Sequence, residues 1–247
     1  MKDNNPSIIQ VLVRASNILG CFNNDCHSLS IREIANHTGL STGTVYRILL
    51  TLQSIGWIQQ EPTTKKYQLG LGLFSLGKAV RSSEIITTIS RPILESIQKE
   101  CDETVLVYGR HGDCIITLDC IAGYQFVRAT GFAGEILPFT SGGVLGLCLL
   151  AYMPENDILR IFPDIEDKKL ANLKERIASV HALGYAAAPG EVSKDSLGVC
   201  APIFDVNHNC IAELALYGPI YRVEEKLDTC IKAITDGAKL ISSKLLL

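Results

Sequence analysis

The stretch Ser30-Ile31-Arg32-Glu33-Ile34-Ala35-Asn36-His37-Thr38-Gly39-Leu40-Ser41-Thr42-Gly43-Thr44-Val45-Tyr46-Arg47-Ile48-Leu49 decides how the chain is read. Ser30 and Glu33 have the spacing of a capping box: the hydroxyl accepts from the amide three residues on while the carboxylate reaches back to the Ser30 amide, so a helix starts here. Ile31, Ile34 and Ala35 supply its apolar stripe. Gly39 ends it, because glycine adopts the left-handed conformation that other residues resist. Ser41 caps a second helix, in which Val45, Ile48, Leu49 and Leu52 recur at the i, i+3, i+4, i+7 spacing of one buried face. The opposite face carries Gly43, Arg47 and Leu50, so Arg47 points outward.

Two short helices joined by a tight turn with glycine are the helix-turn-helix pattern, whose second helix lies in the major groove of double-stranded DNA and reads it with N-terminal residues. The side chains suit that task. Ser41, Thr42, Thr44 and Tyr46 offer hydroxyls to phosphates or base edges, Arg47 offers a bidentate fork, and Gly43 removes bulk where a backbone could come close. Downstream, Trp57-Ile58-Gln59-Gln60, Glu61-Pro62-Thr63-Thr64-Lys65-Lys66 and Tyr67-Gln68-Leu69-Gly70 read as strand, turn and strand. A hairpin after a recognition helix is a wing, with Lys65 and Lys66 at its tip as point charges for the sugar-phosphate backbone.

Charge supports this division. The net charge of the 247 residues is -3, yet residues 1–80 hold seven Lys and Arg against four acidic residues, a balance of +3. The remainder holds sixteen against twenty-two, or -6. A basic part beside an acidic one points to a polyanion partner for the smaller part. Hydrophobic residues make up 47% and charged ones 20%, which argues against disorder. The first residues lack the apolar core of an export signal, and the longest apolar run is far short of a membrane span, so a cytoplasmic chain is expected.

Val13-Arg14-Ala15 with Ile18-Leu19, the run from Leu29 to Ile55 and Lys66-Tyr67-Gln68-Leu69-Gly70 resemble the IclR family of bacterial transcriptional regulators. The resemblance continues through Arg91-Pro92-Ile93-Leu94, Thr104-Val105, Leu137-Pro138, Leu145-Gly146, Gly184-Tyr185, Gly190-Glu191, Ala201-Pro202-Ile203-Phe204-Asp205 and Gly218-Pro219. It implies an α+β chain: an N-terminal winged helix-turn-helix in residues 1–80, a linker helix, and a GAF-like antiparallel sheet with helices in residues 81–247 that senses an effector. It also implies a homo-oligomer, dimer or tetramer. With two-fold symmetry the operator is expected to be an inverted repeat with half-sites about one turn apart or a multiple of it. The alternative is a winged-helix regulator with no small-molecule ligand, acting through protein contacts.

The spacing Leu73, Leu76, Gly77, Val80 predicts the linker helix, and residues 84–101 a second one. Thr104–Tyr108, Ile115–Ile121 and Phe126–Thr130 read as a three-stranded meander. Val144–Tyr152 and Ile158–Leu183 read as helices, Leu197–Phe204 and Cys210–Tyr217 as a hairpin, and about Glu224–Leu245 as a last helix.

In the family the effector contacts a loop before the first short helix and small side chains of the later strands. By position these are Ser141, Gly142 and Gly143 in the loop 140–144, and Ala188, Gly198, Ala215 and Tyr217. The stretch from Pro138 to Gly146 is one residue longer than the family pattern. Members that take small keto acids carry Asp, Cys and Ser where this chain has alanine, glycine and alanine, so its wall is more apolar and roomier, with one phenol at the rim. The expected effector is a small organic acid larger or more apolar than pyruvate or glyoxylate, such as an aromatic acid, anchored by Ser141, the Gly142 and Gly143 amides and Tyr217.

No enzyme is indicated: the sequence has no Gly-x-Ser-x-Gly elbow, no His-Glu-x-x-His, no phosphate loop and no dinucleotide fingerprint. The nine cysteines are an odd number without paired spacing, as expected of small buried hydrophobes in a reducing compartment. Cys21, Cys26 and His27 have no second ligand pair at zinc spacing downstream, so neither a metal nor a cofactor is expected.

Overall fold

The computed structural model describes residues 8–22, 26–78 and 81–245. The chain divides into two compact units, Met1–Arg81 and Ser82–Leu247. The first opens with helix α1 (Gln10–Leu19), then α2 (Ile31–Thr38) and α3 (Thr42–Ser54). A hairpin of β1 (Ile58–Gln60) and β2 (Tyr67–Leu69) follows, then α4 (Leu71–Lys78). Val80, the last position of the expected linker stripe, lies outside the described residues.

Both helix starts of the motif form as their residues dictate. The Ser30 amide donates to Glu33 Oε2 at 2.7 Å and the Glu33 amide to Ser30 Oγ at 3.3 Å, while Gly39 takes φ 67° at the other end. The Thr44 amide donates to Ser41 Oγ at 3.3 Å, capping α3. Val45, Ile48, Leu49 and Leu52 bury against Ile18, Ile34, Ile58 and Tyr67 in one core. Each such burial contributes about 1.5–3 kcal/mol. Tyr67 also exchanges backbone hydrogen bonds with Leu29, at 2.8 and 3.0 Å, so the wing is tied to the segment entering α2.

The second unit is built on a six-stranded antiparallel sheet of order β5-β4-β3-β8-β7-β6. Its elements run α5 (Arg81–Cys101), β3 (Thr104–His111), β4 (Cys114–Ile121), β5 (Ile136–Pro138), α6 (Phe139–Gly142), α7 (Leu147–Ala151), α8 (Glu155–Ile161) and α9 (Asp167–Leu183). They continue through β6 (Ala186–Pro189), β7 (Ser196–Phe204), β8 (Cys210–Pro219), α10 (Ile220–Glu225) and α11 (Leu227–Leu245). The fold is α+β.

Alternation along the strands separates two cores. Val105, Val107, Val199, Ala201, Leu214 and Leu216 face α5 and α11, where Leu94, Ile97, Ile234 and Ile241 complete the layer. Leu106, Tyr108, Cys200 and Ala215 face the other way, beneath Phe139, Val144, Leu145 and the apolar residues of α7 to α9. Strand β7 is buried along nearly its whole length because helices cover both its faces.

Several expected boundaries are corrected. Phe126–Thr130 is not a strand: Phe126 is 98% exposed, so its alternation has no face to bury, and the Thr104 hydroxyl ties this irregular segment down by donating to the Ala129 carbonyl at 2.6 Å. The third strand is instead Ile136–Pro138, which pairs with β4 through Ile115 and Leu137. Residues 158–183 form two helices rather than one, interrupted after Phe162 by Pro163, which cannot continue a helix. Gly146, at φ 91°, starts the short helix only at Leu147 rather than Val144, and the last helix is preceded by a separate short helix, α10.

Candidate functional site

Helix α3 presents Thr42, Gly43, Tyr46 and Arg47 to solvent, while Val45 and Ile48 are buried. A Cβ at Gly43 would have nothing within 4 Å, so the helix surface there is open. The Arg47 guanidinium makes no ion pair or hydrogen bond to the described residues. Ser41 and Thr44 are engaged with each other, Oγ to Oγ1 at 2.9 Å, and Thr44 is half-buried. They shape the start of α3. The exposed offer is therefore two hydroxyls, a bare backbone and a guanidinium on one side of the helix.

The wing places its two lysines differently. Its turn is Pro62-Thr63-Thr64, so both lysines follow the tip rather than forming it. Lys65 is exposed in the left-handed region, φ 59°, and its carbonyl accepts from Gln60 Nε2 at 2.9 Å. Lys66 sits next to the buried Tyr67 and pairs with Glu33 Oε1 at 3.6 Å. The Ser30 amide, the Ser30 hydroxyl and Lys66 together hold the Glu33 carboxyl below the usual carboxylate range. One carboxylate thus caps α2 and holds the wing base, which leaves Lys65 as the freer cation.

In the second unit the strand positions expected to line the effector site come together. Ala188 pairs with Gly198 and Gly198 with Tyr217, in one row across three strands. Ala215 lies in the next row of the same face, beside Cys200 and Leu106. The loop residues are placed otherwise: Ser141 and Gly142 belong to α6 rather than to a loop. Ser141 is exposed and Gly142 is buried against Ile115. Gly143, at φ 57°, passes so close to Glu191 that a Cβ would lie 2.7 Å from that side chain's own Cβ.

The notch left by Gly198 is filled. A Cβ there would stand 2.6 Å from Val144 Cγ1, so the segment after α6 reaches down onto the sheet through Val144. The Tyr217 phenol donates to Ser196 Oγ at 2.7 Å, and that hydroxyl donates to the Ser193 carbonyl at 2.6 Å. Glu191 is pinned by Arg176 at 2.7 Å. Ser196 and Glu191 escaped the sequence reading, which has Val144 only at the end of the loop. The one available signal was the pairing of Gly198 with Tyr217, which aims the ring along the strand toward Ser196. Grooves among described residues lie elsewhere: one under Met153, Ile158 and Leu173, one beside Tyr152, Phe204 and Thr235, and one between Ile93, Ile97 and Gly237.

No described helix is long and apolar enough to cross a membrane.

Comparison with known proteins completes the picture. Residues 77–243 match the model of the bacterial transcriptional regulator IclR C-terminal domain, and residues 11–62 that of the IclR helix-turn-helix domain. The chain is 26% identical over 228 residues to the HTH-type transcriptional regulator KipR of Bacillus subtilis, covering 88% of this chain and 90% of that one. It is 25% identical over 230 residues to the transcriptional repressor IclR of Escherichia coli, covering 88% and 82%. Among solved structures, an IclR homolog from Microbacterium hydrocarbonoxydans complexed with 4-hydroxybenzoate superposes with a TM-score of 0.81 at 20% identity, covering 95% and 98%. With both of its domains matched in order along the sequence, this chain belongs to the IclR family of bacterial transcriptional regulators.

Proposed function

We propose that this chain is a sequence-specific DNA-binding regulator, a repressor in the cytoplasm, whose hold on its operator is set by a small-molecule effector in the C-terminal unit. The observation that carries the first half is the outward face of α3, where the Arg47 guanidinium stands without a partner among the described residues, beside the bare backbone of Gly43. In this reading α3 enters the major groove, Arg47 reads a guanine edge, and Thr42, Thr44, Tyr46 and Ser41 meet phosphates or bases. Lys65 holds the backbone beside the groove, and Lys66 does so less because Glu33 already occupies it.

Self-association accompanies this. Leu12 on α1 and Leu71 on α4 are 64% and 84% exposed, and apolar surface of that kind on the small unit calls for a second copy. A two-fold pair sets two recognition helices in successive major grooves. Selecting bound duplexes from a random pool tests this: an inverted repeat with half-sites about one turn or a multiple apart is expected. Recovery of unenriched sequence would remove the specific-regulator reading.

The effector is an aromatic or comparably apolar small acid lying on the row Ala188, Gly198 and Tyr217. Three side chains without hydrogen-bonding groups, Ala188, Gly198 and Ala215, support an apolar ring over a keto acid. The 4-hydroxybenzoate complex of a family member with the same fold supports it further. A ligand there must displace Val144 from the Gly198 notch, and Gly143 and Gly146 flank it with the positive φ angles of a backbone that can hinge. The occupancy of that notch by Val144 also favours a second reading, a regulator that needs no ligand. Calorimetric screening of aromatic acids against pyruvate and glyoxylate decides: tighter binding of pyruvate than of any aromatic acid refutes the effector assignment, and no binding at all favours the ligand-free regulator.

A further inference from the structure

We infer that Cys148, Cys200 and Glu213, buried together on the face of the sheet that α7 covers, form a binding site for a thiophilic divalent metal ion of the zinc and cadmium kind. They are the one group of three or more His, Cys, Asp or Glu among the described residues whose donor atoms converge, all within 4.8 Å of one another. None is exposed to solvent.

The donor set fits such an ion. Two thiolates select soft or borderline metals, and a carboxylate is a common third ligand of zinc. The Cys148 and Cys200 sulfurs are 3.4 Å apart. With metal to sulfur bonds of about 2.3 Å, two sulfurs on a tetrahedral centre stand about 3.8 Å apart, so the pair opens by a few tenths of an ångström to admit the ion. The three residues come from α7 and from the adjacent central strands β7 and β8, and a bound ion would clamp the short helix to the sheet.

Glu213 is oriented for this from outside the cluster: the Gly146 amide donates to Oε1, and the Leu149 amide to Oε2 at 3.4 Å. Backbone donors that fix a ligating carboxylate are a regular feature of metal sites. Loading releases the two thiol protons and leaves two thiolates and a carboxylate around a double positive charge. The two amides face the one negative charge in excess. A further soft donor is close by: the Cys210 sulfur lies 3.4 Å from the Ala212 carbonyl oxygen and 3.8 Å from that of Cys148.

A plain hydrogen-bonded thiol pair is the competing account. The other buried pair, Cys101 and Cys230 on the opposite face, represents it, because no third donor converges there among the described residues. That pair is the internal control.

The test is titration of the reduced, metal-stripped full-length protein with cadmium alone, read by thiolate-to-metal charge-transfer absorption. One equivalent per chain is expected, with the band lost in Cys148→Ala and Cys200→Ala, kept in Cys101→Ala and in the Cys21→Ala, Cys26→Ala double variant, and affinity lowered at least about tenfold in Glu213→Gln. Circular dichroism establishes that each variant folds. Should Cys148→Ala or Cys200→Ala fail to fold, cadmium NMR of the wild type replaces it, a shift in the range of mixed sulfur and oxygen ligation supporting the site and one of oxygen and nitrogen ligation alone overturning it. Absence of the band, its survival in both cysteine variants, or a mass two hydrogens short of the reduced chain with no cadmium uptake, which marks a disulfide, overturns the assignment.

Discussion

In the proposed DNA interface, Arg47 and Lys65 divide the work between reading and holding. A bidentate guanidinium on a base edge supplies discrimination, so Arg47→Ala should cost about 1–3 kcal/mol at the cognate site and flatten the preference among bases. Lys65→Ala should weaken all sequences alike and lower the slope of log affinity against log salt by about one, in a fluorescence anisotropy series. Lys66→Ala should lower it by less, because Glu33 already neutralises that ammonium. Equal effects of the two lysine variants would show that the Glu33 pair does not persist on DNA. The caps, the glycine stop and the outward arginine were legible in the sequence because each depends on residues within one helical turn. The Lys66 to Glu33 pair was not, since it joins side chains that only folding brings together.

At the scale of elements, glycine positions carry the closest contacts. The hairpin leaves the wing at Gly70, where a Cβ would sit 2.3 Å from the Gly56 carbonyl oxygen. Backbone on both sides cannot give way, so Gly70→Ala should destabilise the first unit by about 1–3 kcal/mol. Trp57, the single tryptophan, lies beside this contact and reports it by fluorescence in urea unfolding. An unchanged midpoint would mean that the wing exit is looser than its geometry. In the second unit Val144→Ala empties the Gly198 notch and should tighten aromatic-acid binding by about tenfold, about 1.4 kcal/mol, in calorimetry. Unaltered affinity would place the effector elsewhere. Strands β7 and β8 were readable from their apolar runs and the polar turn between them. The short edge strand β5 was not: three residues offer too little period to distinguish them, and the alternating Phe126 segment imitates a strand without a core to face.

For the molecule as a whole, the charge division and the two matched domains point to one unit that meets a polyanion and one that does not. If the exposed leucines of α1 and α4 close a two-fold contact, then Leu12→Glu with Leu71→Glu should move the sedimentation of the full chain toward the monomer and weaken operator binding more than half-site binding. A variant that sediments as the wild type would locate self-association in the second unit. The order of domains and the helix-turn-helix were legible along the sequence, and the strand periods put Ala188, Gly198, Ala215 and Tyr217 on one face of β6, β7 and β8. The filling of that floor by Val144, and the meeting of Cys148, Cys200 and Glu213, depend on residues far apart in the chain that only the sheet and its covering helix bring together.

The central claim is that α3 reads DNA through Arg47. Its most direct test is the affinity of wild type and Arg47→Ala for the selected inverted repeat and for a scrambled duplex of equal length, measured over a range of salt. The account predicts that the wild type prefers the repeat, that both affinities fall linearly in log salt, and that Arg47→Ala loses mainly the preference. Equal affinity of the wild type for both duplexes, or equal losses on both for Arg47→Ala, would contradict it.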